Sequence, residues 1–251
     1  ATNLVATIND VCHGQPISVK LSGLGTLTAI AITYNLSGFN TLTSQTIPLA
    51  VVAGEVNFVI PATDIPNVGL TSFTITDLTN TVTGCTLAIN NKTDFTVNPI
   101  PAIPAANDQN FCTSENATVA NLSPQGNQYQ WFDSATSTVP LISTTPLVSG
   151  NYYVKEVNAL TGCESSLKTI MVAINTTPQI NNATLNITPI CQGYTASVNF
   201  SGTSNLTDGI YDILYNLSGS NIATAIPSTL NITAGLANFT IASNLIPNSG
   251  N

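Results

Sequence analysis

The sequence predicts an all-β chain of tandem antiparallel β-sandwiches. Apolar residues alternate with polar ones over short runs, turn residues break those runs at intervals of about 8–12 positions, and several segments recur in the same order. No apolar stripe at i, i+3, i+4, i+7 persists over three turns, so helices are not expected.

The strands follow in order. Ile30, Ile32, Tyr34 and Leu36 share one face, and Ala29, Ala31, Thr33 and Asn35 the other. Val56, Phe58 and Ile60 alternate with Glu55, Asn57 and Val59. In the middle of the chain Tyr129 and Trp131 alternate with Gln128 and Gln130, and later Tyr211, Ile213, Tyr215 and Leu217 restore the first pattern. β-Branched and aromatic residues at these positions suit a half-buried pleated surface.

The recurrences set the domain organisation. Cys12-His13-Gly14 is answered by Cys191-Gln192-Gly193 at an offset of 179. Tyr34-Asn35-Leu36-Ser37-Gly38 is answered by Tyr215-Asn216-Leu217-Ser218-Gly219, and Ile65-Pro66-Asn67-Val68-Gly69 by Ile246-Pro247-Asn248-Ser249-Gly250, both at 181. Residues 1–98 therefore form one repeat type and 179–251 a truncated second copy of it. A different unit, 105–175, lies between them. Pro99-Ile100-Pro101-Ala102-Ile103-Pro104 and Thr176-Thr177-Pro178 read as extended, stiff connectors. Such an array is expected to form a rod. The second copy lacks counterparts of Thr71–Leu78, the Cys85 turn and Asp94–Asn98, so its missing strands are expected from polypeptide beyond Asn251. A strand donated by a neighbouring subunit, as in a pilus-like fibre, is the alternative.

Composition bounds the partners. Of 251 residues 43% are hydrophobic and 6% charged, with four lysines, no arginine, twelve acids, one histidine and a net charge of −8. A chain with this charge lacks the cationic surface needed for nucleic acid or an anionic membrane. No apolar run approaches the length of a membrane span, so membrane insertion is not expected.

Five cysteines fit the repeats. Each complete unit has one before its first core strand, Cys12 or Cys112, and one in a late Thr-Gly-Cys turn, Cys85 or Cys163. This placement predicts the disulfides Cys12–Cys85 and Cys112–Cys163. Cys191 is then unpaired within this segment, its partner expected near position 266. Disulfides imply an oxidising, extracellular compartment. Free buried thiols or a metal site are the alternatives, but no Cys-x-x-Cys or Cys/His cluster exists.

Little chemistry is nominated. His13 reads as a turn residue. The acids are scattered, Asp208 and Asp212 around Gly209 reading as a solvated strand entrance and not a calcium loop. No carboxylate pair suggests a glycosidase, and neither catalysis nor a cofactor is expected.

Residues 104–174 carry a specific resemblance. Phe111-Cys112, Ala117-Thr118-Val119-Ala120-Asn121-Leu122, Gln130-Trp131-Phe132-Asp133-Ser134-Ala135-Thr136, Gly150-Asn151-Tyr152-Tyr153-Val154 and Gly162-Cys163-Glu164-Ser165-Ser166 resemble the Ig-like repeat of Bacteroidetes surface proteins. That repeat is associated with type IX secretion sorting domains. The flanking units resemble companion repeats of giant SprB-like gliding adhesins. The resemblance implies Ig-like sandwiches at the cell surface of a Gram-negative bacterium. Antibody-type domains place the second cysteine two residues after a corner tyrosine, whereas Cys163 lies ten after Tyr153. Trp131 is still expected in the core. Asp133-Ser134-Ala135 resembles an O-glycosylation signal, which would place a glycan on Ser134; a plain turn is the alternative.

The expected function is a non-catalytic stalk of a long adhesin or filament, contacting adjacent repeats and an unknown surface or carbohydrate ligand. A sugar- or surface-binding accessory module of a secreted enzyme is the alternative, with an outward member of the Tyr152–Tyr153 pair as part of a stacking platform.

Overall fold

Period-2 patterning produces strands throughout the computed structural model, which describes residues 3–180, 183–202 and 206–250. Ala1, Thr2 and Asn251, at the outer limits of the expected repeats, lie outside the described residues. Among the described residues, seventeen strands and four short 3-10 turns make up the regular structure, as the all-β reading requires.

The first sandwich contains β1 (Val5–Ile8), β2 (Val11–Cys12), β3 (Ile17–Ser22), β4 (Ala29–Gly38), β5 (Leu42–Ala50), β6 (Val56–Ile60), β7 (Gly69–Asn80) and β8 (Thr86–Asn98). One sheet runs β1-β3-β6 and the other β2-β8-β7-β4-β5. All pairings are antiparallel except β2, which lies parallel to β8 with Val11 beside Val97 and Cys12 beside Asn98. Alternate residues of β3 and β6 pack against those of β4, β7 and β8, and Ile30, Ile32, Phe73 and Ile75 are fully buried. The Phe73 ring sits 5.0 Å from Tyr34 and 6.1 Å from Phe58.

Polar groups close the far end of the sheet. Asn40 and Thr71 are buried; the Asn40 amide donates to Thr71 Oγ1 and to the Asn67 carbonyl, and its Oδ1 accepts from the Asn67 amide. Buried polar groups are tolerated when satisfied in this way. On the exposed face, Asp94 accepts from the Ser72 hydroxyl at 2.6 Å and pairs with Lys92, which holds its carboxyl below the usual 3.8. Because the folded-state value is depressed, this contribution to stability is present above the ordinary carboxylate range and is lost as pH falls through it. An NMR titration should place the Asp94 midpoint below 3.8, and Ser72→Ala should move it upward.

The second sandwich contains β9 (Gln109–Cys112), β10 (Tyr129–Phe132), β11 (Gly150–Glu156) and β12 (Lys168–Asn175) in the order β10-β11-β12-β9. Its second layer is irregular: Ala106, Ala117, Val119, Leu122 and Leu147 come from loops and a 3-10 turn and cover Trp131, Tyr152, Val154, Ile170 and Val172. Trp131 is 5% exposed and fills this core. The corner tyrosine is Tyr152, whose hydroxyl accepts from the Val148 amide four residues upstream. Tyr153, the adjacent residue, points to the other face of the strand and is half-buried.

The third contains β13 (Thr184–Ile187), β14 (Ala196–Ser201), β15 (Gly209–Leu217), β16 (Ala223–Ile232) and β17 (Ala237–Ile241), in sheets β13-β14-β17 and β15-β16. It reproduces the first sandwich in detail. The β4–β5 pair shifts register between Tyr34 and Leu36, and β15–β16 between Tyr215 and Leu217. Asn35 Oδ1 accepts from the Ser44 amide, and Asn216 Oδ1 from Ala225; both donor residues have positive φ. The Asn40–Asn67 bonds recur as Asn221–Asn248. One difference stands out. Ile30, Ile32, Tyr34 and Leu36 are buried, but Tyr211, Ile213, Tyr215 and Leu217 are only half-buried. β4 lies between β7 and β5, whereas among the described residues β15 pairs with β16 alone.

Each sandwich has its own hydrophobic core. The first two fall in one compact unit, and the third, with residues 112–115, in a second.

Candidate functional site: the cystine joining the first two sandwiches

The disulfide pairing corrects the expectation drawn from the sequence. Cys12 is bonded to Cys163, 151 residues away, and Cys85, Cys112 and Cys191 are free thiols. The expected pairs Cys12–Cys85 and Cys112–Cys163 are excluded by strand direction. Cys12 lies beside Asn98 at the end of β8, while Cys85 precedes its first residue, Thr86. Thirteen extended residues span about 40 Å, against the ~7 Å limit between Cα atoms of a cystine.

The second sandwich repeats the arrangement. Asp108 Oδ1 accepts from the Met171 amide and Thr113 Oγ1 from the Thr177 amide, so β9 runs in the same direction as β12. Cys112 therefore lies beside the end of β12 and Cys163 ahead of its start. In both units the early cysteine and the late hairpin occupy opposite ends of the sheet.

Cys163 closes a hydrogen-bonded hairpin. In Asn158-Ala159-Leu160-Thr161-Gly162-Cys163 the Asn158 amide donates to the Cys163 carbonyl and Gly162 to the Asn158 carbonyl, while Asn158 Oδ1 accepts from Leu160 and Thr161. Gly162 has φ +72°, a left-handed conformation that a side chain would strain. Behind the hairpin, Lys155 pairs with Glu164 at 2.7 Å and stands 5.1 Å over the Phe132 ring. Opposite it, Cys12 closes a turn in which Gln15 donates to the Cys12 carbonyl and His13 to that of Asn98. His13 Nε2 also donates to the Pro66 carbonyl at 3.0 Å, a structural role.

Two acids that the sequence left unassigned set this geometry. Asp10 Oδ1 accepts from the Thr96 amide and Asp108 Oδ1 from Met171, each at 2.7 Å. Each carboxylate pins the start of an early strand to the last strand of its sandwich. Asp10→Ala should cost about 1.5 kcal/mol in chemical denaturation, the low end for a hydrogen bond to a charged group because Asp10 is exposed, while Asp10→Asn keeps an acceptor and should cost less.

The other candidate residues do not converge. Asp208 Oδ1 accepts from the Ala234 amide, and no group of three or more His, Cys, Asp or Glu gathers among the described residues. Ser134 follows β10, half-buried, with its Oγ accepting from the Thr136 amide. A cleft of about 460 Å³ in the second sandwich is lined by Gln125, Asn127, Tyr129, Gln130 and Trp131, but the Trp131 ring is turned into the core. Tyr152 is buried, so the tyrosine pair presents only Tyr153 toward solvent. No helix among the described residues is long and apolar enough to cross a membrane.

Residues 101–178 match the family model described as an Ig-like domain, CHU_C associated. No curated protein matches the chain. Among solved structures, the FN1–FN3 domains of chicken CNTN1 are similar at 12% identity, covering 96% of this chain and 87% of that one with a TM-score of 0.33. The periplasmic chaperone SfaE is similar at 11% identity, 69% and 100% coverage and a TM-score of 0.26. Dimeric latent PorU from Porphyromonas gingivalis is similar at 10% identity, 95% and 28% coverage and a TM-score of 0.21. The fold is that of Ig-like β-sandwiches, an architecture typical of non-catalytic domains and one that fits a structural or adhesion-type module.

Proposed function

We propose that this chain is a load-bearing stalk segment of an exported bacterial surface protein, resembling the repeat regions of SprB-like gliding adhesins carried by type IX secretion. The observation that supports the reading best is the Cys12–Cys163 bond. Tension entering at the amino terminus reaches Cys12, crosses the disulfide to Cys163 and leaves along β12. Residues 13–162, which hold nearly all of both cores, lie outside that path. The ladders made wholly within that span, β3–β6, β4–β5, β4–β7, β7–β8 and β10–β11, are then shielded from load, whereas β1, β2 and β12 lie on the path.

The edge of β15 that is unpaired among the described residues fits the same reading, since further strands of a repetitive polypeptide would complete it. A strand from a neighbouring subunit would make the chain a fibre subunit instead. Adjacent repeats are the proposed partners, with a surface or carbohydrate ligand bound elsewhere in the protein, and Ser134 is the proposed glycan position.

Force spectroscopy on the full chain, pulled from its termini, tests the reading. With the bond closed, the 151-residue span withholds about 500 Å of contour, which reductant should release. Equal extension with and without reductant would count against it. An antibody against the chain should label intact cells, and labelling only after lysis would refute surface exposure. Specific glycan-array binding abolished by Tyr153→Ala would favour the sugar-binding module.

A further inference from the structure

The bonded hairpin has an unbonded twin. In Asn80-Thr81-Val82-Thr83-Gly84-Cys85 the Asn80 amide donates to the Cys85 carbonyl at 2.9 Å and Gly84 to the Asn80 carbonyl at 2.8 Å, the same distances as at Asn158, Gly162 and Cys163. Asn80 Oδ1 accepts from Val82 as Asn158 Oδ1 does from Leu160, and Thr83 Oγ1 accepts from Cys85 as Thr161 Oγ1 does from Cys163. Gly84 has φ +73° and Gly162 +72°. Cys163 is bonded and buried, whereas Cys85 is free and exposed.

The bonded turn has a twin as well. Tyr194 donates to the Cys191 carbonyl as Gln15 does to that of Cys12, and Gly193 at φ +88° matches Gly14 at +84°. The Gln192 side-chain amide donates to the Pro247 carbonyl where His13 donates to Pro66. Cys191 is also free and exposed.

We propose that the Asn80–Cys85 hairpin is a docking element for a Cys-x-Gly turn, and that it receives the Cys191-Gln192-Gly193 turn of a second copy of this chain in a head-to-tail contact closed by a Cys85–Cys191 disulfide. The Cys12–Cys163 joint is the internal instance of the same contact, a Cys-x-Gly turn against an Asn-x-x-Thr-Gly-Cys hairpin. Closure needs a disulfide oxidant such as glutathione disulfide. One protein thiolate attacks it to give a mixed disulfide and one glutathione thiol, and the second protein thiolate displaces the other glutathione. Two protein thiols thus lose two electrons and two protons, and the oxidant becomes two thiols. The docking geometry is independent of the proposed stalk function, because both halves match a contact already realised once in the chain, while the bond itself persists only in an oxidising compartment.

Three full-length variants test it. One keeps only Cys85 as a free thiol (C112S, C191S), one only Cys191 (C85S, C112S), and one only Cys112 (C85S, C191S). All three retain Cys12–Cys163, and peptide mapping of that bond confirms that each is folded. Mixed in a glutathione redox buffer, the Cys85 and Cys191 chains should form a heterodimer about tenfold in excess of either homodimer and of the Cys85–Cys112 product, corresponding to a preference of about 1.4 kcal/mol. Gly84→Val in the Cys85 chain should abolish that excess while leaving the rate of Cys85 alkylation by iodoacetamide unchanged, which separates docking from simple thiol reactivity. Statistical pairing among the three chains, or an excess that survives Gly84→Val, would overturn the proposal.

Discussion

Phe73→Ala is expected to destabilise the first sandwich by about 3–5 kcal/mol, the range for truncating a large buried aromatic. The side chain has no exposed surface and stacks within 6.1 Å of both Tyr34 and Phe58. β7 runs between β4 and β8, so the cavity opens in the middle of the five-stranded sheet, where packing on both flanks limits collapse. Urea denaturation followed by hydrogen exchange should show protection lost across β3, β4 and β7 and kept in β10–β12, which belong to a separate core. Leu87→Ala, at a half-exposed position of the neighbouring β8, should change stability by less than about 0.5 kcal/mol. Equal losses at the two positions would show that Phe73 does not face the core.

Cys163→Ala should have an effect of comparable size spread over two sandwiches. The bond closes a 151-residue span, for which the chain-entropy model gives about 5 kcal/mol at 25 °C, an upper value because the two cores restrict the chain independently. Alanine is the better replacement because Cys163 is fully buried, and a serine hydroxyl there would need a hydrogen-bond partner. Limited proteolysis gives a direct reading. A cut in the proline-rich connector at residues 99–104 should leave the two halves joined on a non-reducing gel in the parent chain and separate in the variant. Cys85→Ser, by contrast, should leave the gel pattern unchanged, since that thiol is free.

Much of the fold was legible in local sequence. Alternation placed Ile30, Ile32, Tyr34 and Leu36 on the buried face of β4, because side chains on a strand change face at every residue and need no long-range information to do so. Trp131 was legible for the same reason. The second layer of the middle sandwich was not, since Val119, Leu122 and Leu147 reach the core from irregular segments without a period. The spacing points to Tyr153 as the corner tyrosine, but Tyr152 occupies that position; the two are adjacent, and the bond from the Val148 amide and the burial of Tyr152 distinguish them. Asp10 and Asp108 looked like scattered surface acids because their partners, Thr96 and Met171, lie 86 and 63 residues away.

The cysteines mark the boundary between the two kinds of information. From the sequence alone came the repeated Thr-Gly-Cys hairpins, the early cysteines and an even distribution across the complete units, all of which depend on neighbouring residues. Which cysteine meets which was decided by the parallel placement of β2 on β8 and of β9 along β12. That placement sends each early cysteine to the end of its sheet remote from its own late hairpin. A disulfide joins atoms a few ångströms apart whatever their separation in the chain, so its partner is a property of tertiary structure. The spacing that made Cys12 and Cys85 look paired measured the length of a sandwich, and the fold used that length to hold them apart.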